Sequence, residues 1–316
     1  MESKGKGKRE RETAEEKDEL KEIQKLQGHA GMRTFEGAHA GTGRFFSWSP
    51  EGRFLAIPSY DGTTYIWDKN EDEVHDMEDL DLEEDDKEEV LSVSWDHSGC
   101  YLATCSRAAV RIWETLLLPR CESDKLADSE DAIMVQFHPS EDLLFSCCRD
   151  DTIEIWAKYD FQEWYMAQTL DHETKAHSSK GFSISFNATG DKMVTSREDL
   201  SIKVWGPEGK LSGDSGREYV SWAHIYTLRG HHERPIFSVH WSSEGIIATG
   251  AADGAIRLFV ENQDGLERGR DMFKLLLVKE KAHEVDIMQW GSKGINLLAS
   301  SSEKGTIKIW QLTTLQ

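Results

Sequence analysis

The chain has 316 residues, with 58 acidic against 37 basic side chains and a formal charge of −21. That surplus argues against broad contact with nucleic-acid phosphates or anionic membranes, both of which need basic surface. No run of about eighteen apolar residues offers a membrane-spanning helix, and the five cysteines, odd in number and without zinc spacing, suit a reducing compartment.

In chain order, residues 1–27 come first. Lys4, Lys6, Lys8, Arg9 and Arg11 precede Glu12, Glu15, Glu16, Asp18 and Glu19. This stretch reads as a solvated tail without fixed structure, with a nuclear-import address as the sharper alternative. It is too polar for a secretory signal. Residues 28–316 then read as one domain made of repeats. Six times, an alternating apolar run ends in an aromatic residue, and a second aromatic follows eighteen to twenty residues later. The pairs are Trp48 with Trp67, Trp95 with Trp113, Phe137 with Trp156, Phe186 with Trp205, Trp241 with Phe259, and Trp290 with Trp310.

Between the two aromatics of a pair, the grammar is constant. A turn with Pro or Gly leads to a strand of small residues, such as Tyr101-Leu102-Ala103-Thr104-Cys105-Ser106, expected to lie beside the axis. A tight hairpin then enters a β-branched strand such as Thr306-Ile307-Lys308-Ile309-Trp310. A unit of about 40–45 residues with this rhythm predicts an all-β propeller. Only six residues follow Trp310, so the last blade must borrow its outer strand. A segment between Lys21 and Phe35 is predicted to supply it and so close the ring. The acidic stretch Glu71 to Glu89 is expected to be a frayed outer edge of the first blade, and Gly206 to Gly216 a Gly-rich loop.

Two polar marks share this register. Asp61, Asp150, Asp199 and Asp253 each stand six residues before a closing aromatic. His39, His177 and His231 stand 28 before it, and His283 stands 27 before Trp310. The pattern resembles the WD40 repeat, in which histidine, aspartate and a strand tryptophan share a buried hydrogen-bond network; here the tryptophans are Trp67, Trp156, Trp205 and Trp310. Buried polar groups of this kind are stable only when paired, so these histidines read as structural rather than metal-binding. Some units depart from the pattern: Arg107-Ala108-Ala109 and Lys304 replace the hairpin aspartate, and Asp128 replaces a histidine. Those blades are expected to be softer.

The segments Leu102 to Arg107, His138-Pro139-Ser140-Glu141-Asp142-Leu143-Leu144 with Asp150-Asp151-Thr152, and Ile247 to Phe259 narrow the likeness. They resemble the WD-repeat cytosolic iron–sulfur protein assembly factors. The resemblance covers roughly Phe35 to Trp310 and implies a propeller of seven blades in the family, of which six are recognisable here. It implies a scaffold of the CIA targeting complex, which delivers clusters to cytosolic and nuclear apoproteins and holds none itself. Protein partners from that complex and iron–sulfur client proteins follow from it. So does a cytoplasmic location, with the nucleus as a second compartment and a monomeric ring inside a hetero-complex. An arginine in the family's Cys-Ser-Arg motif lies on its docking face and carries over onto Arg107. The family's first blade has no counterpart here. The Leu-Tyr-Arg tripeptide of some members is replaced by Ile155-Trp156-Ala157.

Arg107, Arg149 and Arg197 each end the small-residue strand of successive units. Equivalent positions converge on one rim, and guanidinium groups suit bidentate carboxylate recognition. The three are therefore expected to form a docking face for an acidic peptide, or else to pair with neighbours such as Asp150 or Glu198. No nucleophile elbow, phosphate loop or metal-spaced Cys/His set points to catalysis, a cofactor or a metal. Cys147 and Cys148 are neighbours that must face opposite sides of a strand. Another WD-repeat scaffold, such as a ubiquitin-ligase receptor or a chromatin-peptide reader, is the competing expectation. The sequence Trp67-Asp68-Lys69-Asn70 lacks the arginine that such ligase receptors often carry.

Overall fold

The computed structural model describes residues 18–27, 45–71, 73–77, 88–106, 109–115, 123–127, 132–158, 164–171, 181–212, 218–262, 271–291, 294–302 and 306–314. These residues form 24 strands in six four-stranded antiparallel sheets, the blades of a propeller. The first blade holds β2 (Ser47–Trp48), β3 (Phe54–Pro58), β4 (Thr64–Asp68) and β5 (Glu73–Met77). The second holds β6 (Val90–Trp95), β7 (Tyr101–Ser106), β8 (Val110–Glu114) and β9 (Ser123–Ala127), and the third β10 (Ala132–Phe137), β11 (Leu143–Cys148), β12 (Ile153–Lys158) and β13 (Trp164–Leu170). The fourth holds β14 (Gly181–Phe186), β15 (Met193–Arg197), β16 (Ile202–Ser212) and β17 (Glu218–Leu228). The fifth holds β18 (Ile236–Trp241), β19 (Ile246–Ala251), β20 (Ile256–Glu261) and β21 (Phe273–Lys279). The sixth is β22 (Ile287–Trp290), β23 (Leu297–Ser302), β24 (Thr306–Thr314) and β1 (Asp18–Gln27).

The predicted borrowed strand is present in the sixth blade. β1 runs antiparallel to β24 from Asp18 opposite Thr314 to Gln27 opposite Thr306, with a bulge between Glu22 and Gln24. Leu20 anchors it, 1% exposed in the core between the fifth and sixth blades. The strand starts and ends earlier than expected, so Asp18 to Gln27, read as tail, belong to the ring. The alternation of Leu20 with charged neighbours gives one buried face, which outweighs the high charge of the segment.

Three further expectations change. The strand lining the channel is the one ending in the aromatic (β2, β6, β10, β14, β18, β22), and the small-residue strand is second from the axis. Small side chains there admit the next blade rather than the axis. Glu73–Met77 pairs with β4 along its whole length, so the first blade has a fourth strand where fraying was expected. Gly206 to Ser212 continue β16, because bulges at Trp205 and at Pro207/Gly209 let the ladder with β17 run on.

Five apolar clusters fill the junctions between successive blades from the first to the sixth. Each is built the same way. The inner-strand aromatic of one blade (Trp95, Phe137, Phe186, Trp241, Trp290) shares a cluster with a facing pair from the preceding blade's second and third strands. Those pairs are Ala56 with Ile66, Ala103 with Ile112, Phe145 with Ile155, Val194 with Val204, and Ala248 with Leu258. Gly250 shows how tight the fit is: a Cβ there would lie 2.4 Å from Val285 Cγ1.

Serines on the inner strands satisfy the next strand's open edge. Ser47 Oγ accepts from Trp95 N–H (3.1 Å), Ser94 Oγ from Phe137 N–H (3.0 Å), Ser185 Oγ from Trp241 N–H (2.9 Å) and Ser238 Oγ from Met288 N–H (2.9 Å). Buried N–H groups left by converging, unpaired strand edges thus find partners.

Candidate docking face

The three arginines do not share one environment. Arg107 lies outside the described residues. Arg149 is half-buried, immediately after β11 and before the turn into β12. In that turn Asp150 accepts hydrogen bonds from Thr152 N–H (3.1 Å) and Oγ1–H (2.6 Å), and Asp151 adopts a left-handed φ of 74°. Arg197 ends β15 on the neighbouring blade, and its side chain is only 1% exposed. It donates from Nη1 to Asp151 Oδ1 (3.3 Å) and from Nη2 to the Thr152 carbonyl (3.2 Å).

Arg197 therefore pins the third blade's hairpin to the fourth blade and cannot grip a guest while buried. This corrects its expected role as a docking residue. Sequence reading could not foresee that the adjacent hairpin would cover it. It pairs with an acidic residue, as the alternative expectation had it, and the partner seen is Asp151 on the neighbouring blade. The contact does set the Arg149 turn beside the fourth blade.

The structural network also needs adjustment. In the fifth blade the networked histidine is His232, not His231. His232 Nδ1 lies 2.9 Å from Asp253 Oδ2, and Nε2 lies 2.7 Å from Thr249 Oγ1. Arg257 Nη1 closes the group, 2.8 Å from His232 Nδ1 and 2.9 Å from Asp253 Oδ2. His231 instead sets its ring edge-on to Phe259, 4.8 Å between centroids. The adjacent histidines made the register ambiguous; the 27-residue spacing of His283 was the usable clue. Burial, aided by the Arg257 charge, lowers the His232 pKa to about 4, so the ring is neutral at pH 7.

His283 Nε2 lies 2.6 Å from Ser300 Oγ, which accepts from Trp310 Nε1 at 2.8 Å. Trp113, Trp156 and Trp205 donate likewise to Thr104 (2.9 Å), Ser146 (3.1 Å) and Thr195 (2.9 Å). These Ser/Thr acceptors were missed from sequence, although they recur nine or ten residues before each tryptophan. Asp61, Asp150, Asp199 and Asp253 each accept from the N–H two residues on, which shapes the hairpin turn. Trp67 packs edge-on against Trp48, 6.0 Å between centroids. His39 and His177 lie outside the described residues.

The inner strands of all six blades enclose a cavity of about 260 Å³. Its wall includes Gln136, Gln289 and His240; burial lowers the His240 pKa to about 4. Cys147 and Cys148 face opposite junctions, Cys147 toward the fourth blade and Cys148 toward the second. Burial raises both thiols, Cys147 to about 11 against the pull of the Arg197 charge. Thiols so held are poor thiolate ligands at neutral pH. Among the described residues, no cluster of three or more His, Cys, Asp or Glu could hold a metal ion.

Comparison with known proteins gives matches of two kinds. The model of the WD domain, G-beta repeat, matches residues 20–68, 82–114, 128–157 and 222–259. The "Probable cytosolic iron-sulfur protein assembly protein 1" of Vanderwaltozyma polyspora is 31% identical over 297 residues, covering 87% of this chain and 82% of that protein. "Protein CIA1" of Arabidopsis thaliana is 52% identical over 103 residues, 32% of this chain and 29% of that protein. The "Probable cytosolic iron-sulfur protein assembly protein CIAO1 homolog" of Nematostella vectensis is 38% identical over 112 residues, 34% of each chain.

Proposed function

Because the chain belongs to the WD-repeat family of cytosolic iron–sulfur protein assembly proteins, we propose that it acts in that assembly as a non-catalytic scaffold. The observation that carries the reading is the 31% identity sustained across 87% of the chain. A propeller supports it physically: the blades are rigid, and their hairpins present side chains from successive units along one rim. On this reading the protein works in the cytosol within the CIA targeting complex. It brings cluster-carrying partners to cytosolic and nuclear apoproteins.

The rim carrying Arg107 and Arg149 is proposed to receive acidic segments of those guests, such as a C-terminal carboxylate. Two features favour it. Guanidinium charge is an exception on a chain of charge −21, and the Arg197 bonds brace the Arg149 turn.

The test is affinity capture with the wild-type chain and with Arg107→Glu and Arg149→Glu. Iron–sulfur assembly proteins and apoproteins should be recovered with the wild type. Recovery of the apoproteins should fall at least tenfold with the two variants together, with the melting temperature unchanged. Capture of cullin adaptors or histone tails in their place would sink the assembly role. Undiminished capture by the double variant would sink the rim alone.

A further inference from the structure

In five blades the residue after the inner-strand aromatic caps the turn into the second strand with a hydrogen-bond acceptor. Ser49 Oγ accepts from Phe54 N–H (2.9 Å), Asp96 Oδ1 from Tyr101 N–H (2.7 Å), Asn187 Oδ1 from Lys192 N–H (3.1 Å) and Ser242 Oγ from Ile246 N–H (2.9 Å). In the third blade the cap is an imidazole. His138 Nδ1 lies 3.3 Å from Ser140 N and 3.0 Å from Glu141 N, two backbone groups that can only donate. Its Nε2 lies 2.8 Å from the Gly190 carbonyl oxygen on the fourth blade, which can only accept. These partners fix one state of the ring: neutral, with its lone pair on Nδ1 and its proton on Nε2. The residue is 3% exposed, with its ring edge-on to Phe186 and Trp222 at 5.2 and 6.0 Å between centroids.

We propose that His138 is an acid-sensitive latch between the third and fourth blades, closed by the neutral ring and opened by its protonation. A proton on Nδ1 would face two backbone N–H groups, so the turn and the ring could not keep all their bonds together. Either the turn opens or the ring leaves Gly190, and both cut the link from one blade to the next. Ser49, Asn187 and Ser242 carry no group that titrates, so the turns they cap lack this response. Burial lowers the His138 pKa from the ordinary 6.5; the Gly190 bond and the Glu141 charge oppose it, and His97 on the second blade's turn adds to it. The other packed elements bring no free charge to the ring. β14 and β17 offer Phe186 and Trp222, and on the fourth blade's turn Asp191 is bonded to Asn187 Nδ2 (2.6 Å) and Thr189 Oγ1, and Lys192 to Glu261 (2.6 Å). The latch is therefore closed at neutral pH and opens only below the ordinary value. His138 and the Arg149 turn lie at opposite ends of β11, so Arg197 ties this junction at one face and His138 at the other. Acid frees the His138 end while the Arg197 end holds, and the inference does not rest on the docking rim.

Nuclear magnetic resonance of the full chain tests it, with side-chain nitrogen spectra and amide exchange followed together from pH 7 downward. At pH 7 the His138 ring should carry its proton on Nε2 alone. As that ring titrates, protection of the Ser140 and Glu141 amides should fall by about tenfold, while the Lys192 and Ile246 amides in the equivalent turns keep theirs. A proton on Nδ1 at neutral pH, a ring that stays neutral until the chain unfolds, or a loss shared equally by all the turns would overturn the proposal. His138→Asn should keep the third blade's turn amides protected at every pH, because an amide caps a turn as Asn187 does. An acid-dependent loss that persists in this variant would place the switch elsewhere and overturn it too. The wild-type titration decides the matter even if the variant fails to fold.

Discussion

Arg197 spans the third and fourth blades with its guanidinium out of solvent, held by Asp151 and the Thr152 carbonyl. A buried cation at a junction fixes geometry more than it adds stability, but removing it leaves a hole and takes away the bond that ties the hairpin's Thr152 carbonyl to the fourth blade. Arg197→Ala is expected to cost about 2–3 kcal/mol in urea unfolding, and Arg197→Met to recover some of the loss by refilling the volume. An Ala variant as stable as the wild type would show that the contact is incidental. His138 has a related role between the same two blades. Its Nε2 lies 2.8 Å from the Gly190 carbonyl, and a Cβ on Gly190, at φ +77°, would sit 2.5 Å from the imidazole. Glycine is thus required there for both backbone conformation and space. By contrast, Arg53 grips Asp68 with both Nε (3.0 Å) and Nη2 (2.5 Å). That pairing lowers the Asp68 carboxyl to about 2, and it gives the Trp-Asp pair that closes the first blade's third strand a local role in the β3–β4 ladder.

At the scale of elements, β1 decides whether the sixth blade is a sheet with a covered or an open edge. It pairs with β24 over nine registered positions and contributes Leu20 to the core beside Trp310 and Leu298. Leu20→Asp would bury a charge in that core and is expected to cost about 3 kcal/mol. Hydrogen exchange should then accelerate in β24 while strands of the second and third blades keep their protection. Uniform acceleration across all blades would show instead that the ring unfolds as one unit. The charged composition of residues 18–27 hid this strand from a composition-based reading. Its signal is the buried Leu20, at a position where period two matters. The Gly206 to Ser212 segment misled in the same way: glycine and proline mark a loop in isolation, yet bulges absorbed both.

Across the whole molecule, buried histidines set the response to acid. His232 and His240 both titrate near 4 when folded, chiefly because burial penalises the cation, against an ordinary value of 6.5. The unfolded chain therefore takes up protons first as pH falls below 6.5. Stability is full above that value and drains away down to about pH 4, by on the order of 2–3 kcal/mol for each histidine. Glu154, raised by burial, titrates in the opposite sense and blunts the loss. Urea midpoints measured from pH 7 to 4.5 should fall, and His240→Gln should flatten the slope. A flat wild-type profile would contradict this account.

The sequence alone determined the repeat, its blades and the closing strand's origin near the N-terminus. It also placed the hairpin aspartates, because period-two patterning and turn residues act locally and recur in register. The opposed faces of Cys147 and Cys148 followed from the same alternation. Other features depended on which surfaces meet across blades, and only the tertiary structure decided them. Arg197 was buried because a hairpin 46 residues away covers it. His232 displaced His231 because one of two adjacent rings points at Asp253 and Thr249. The exposure of Trp48 was likewise beyond the sequence, because repeat grammar specifies each blade's face without saying what will lie against it.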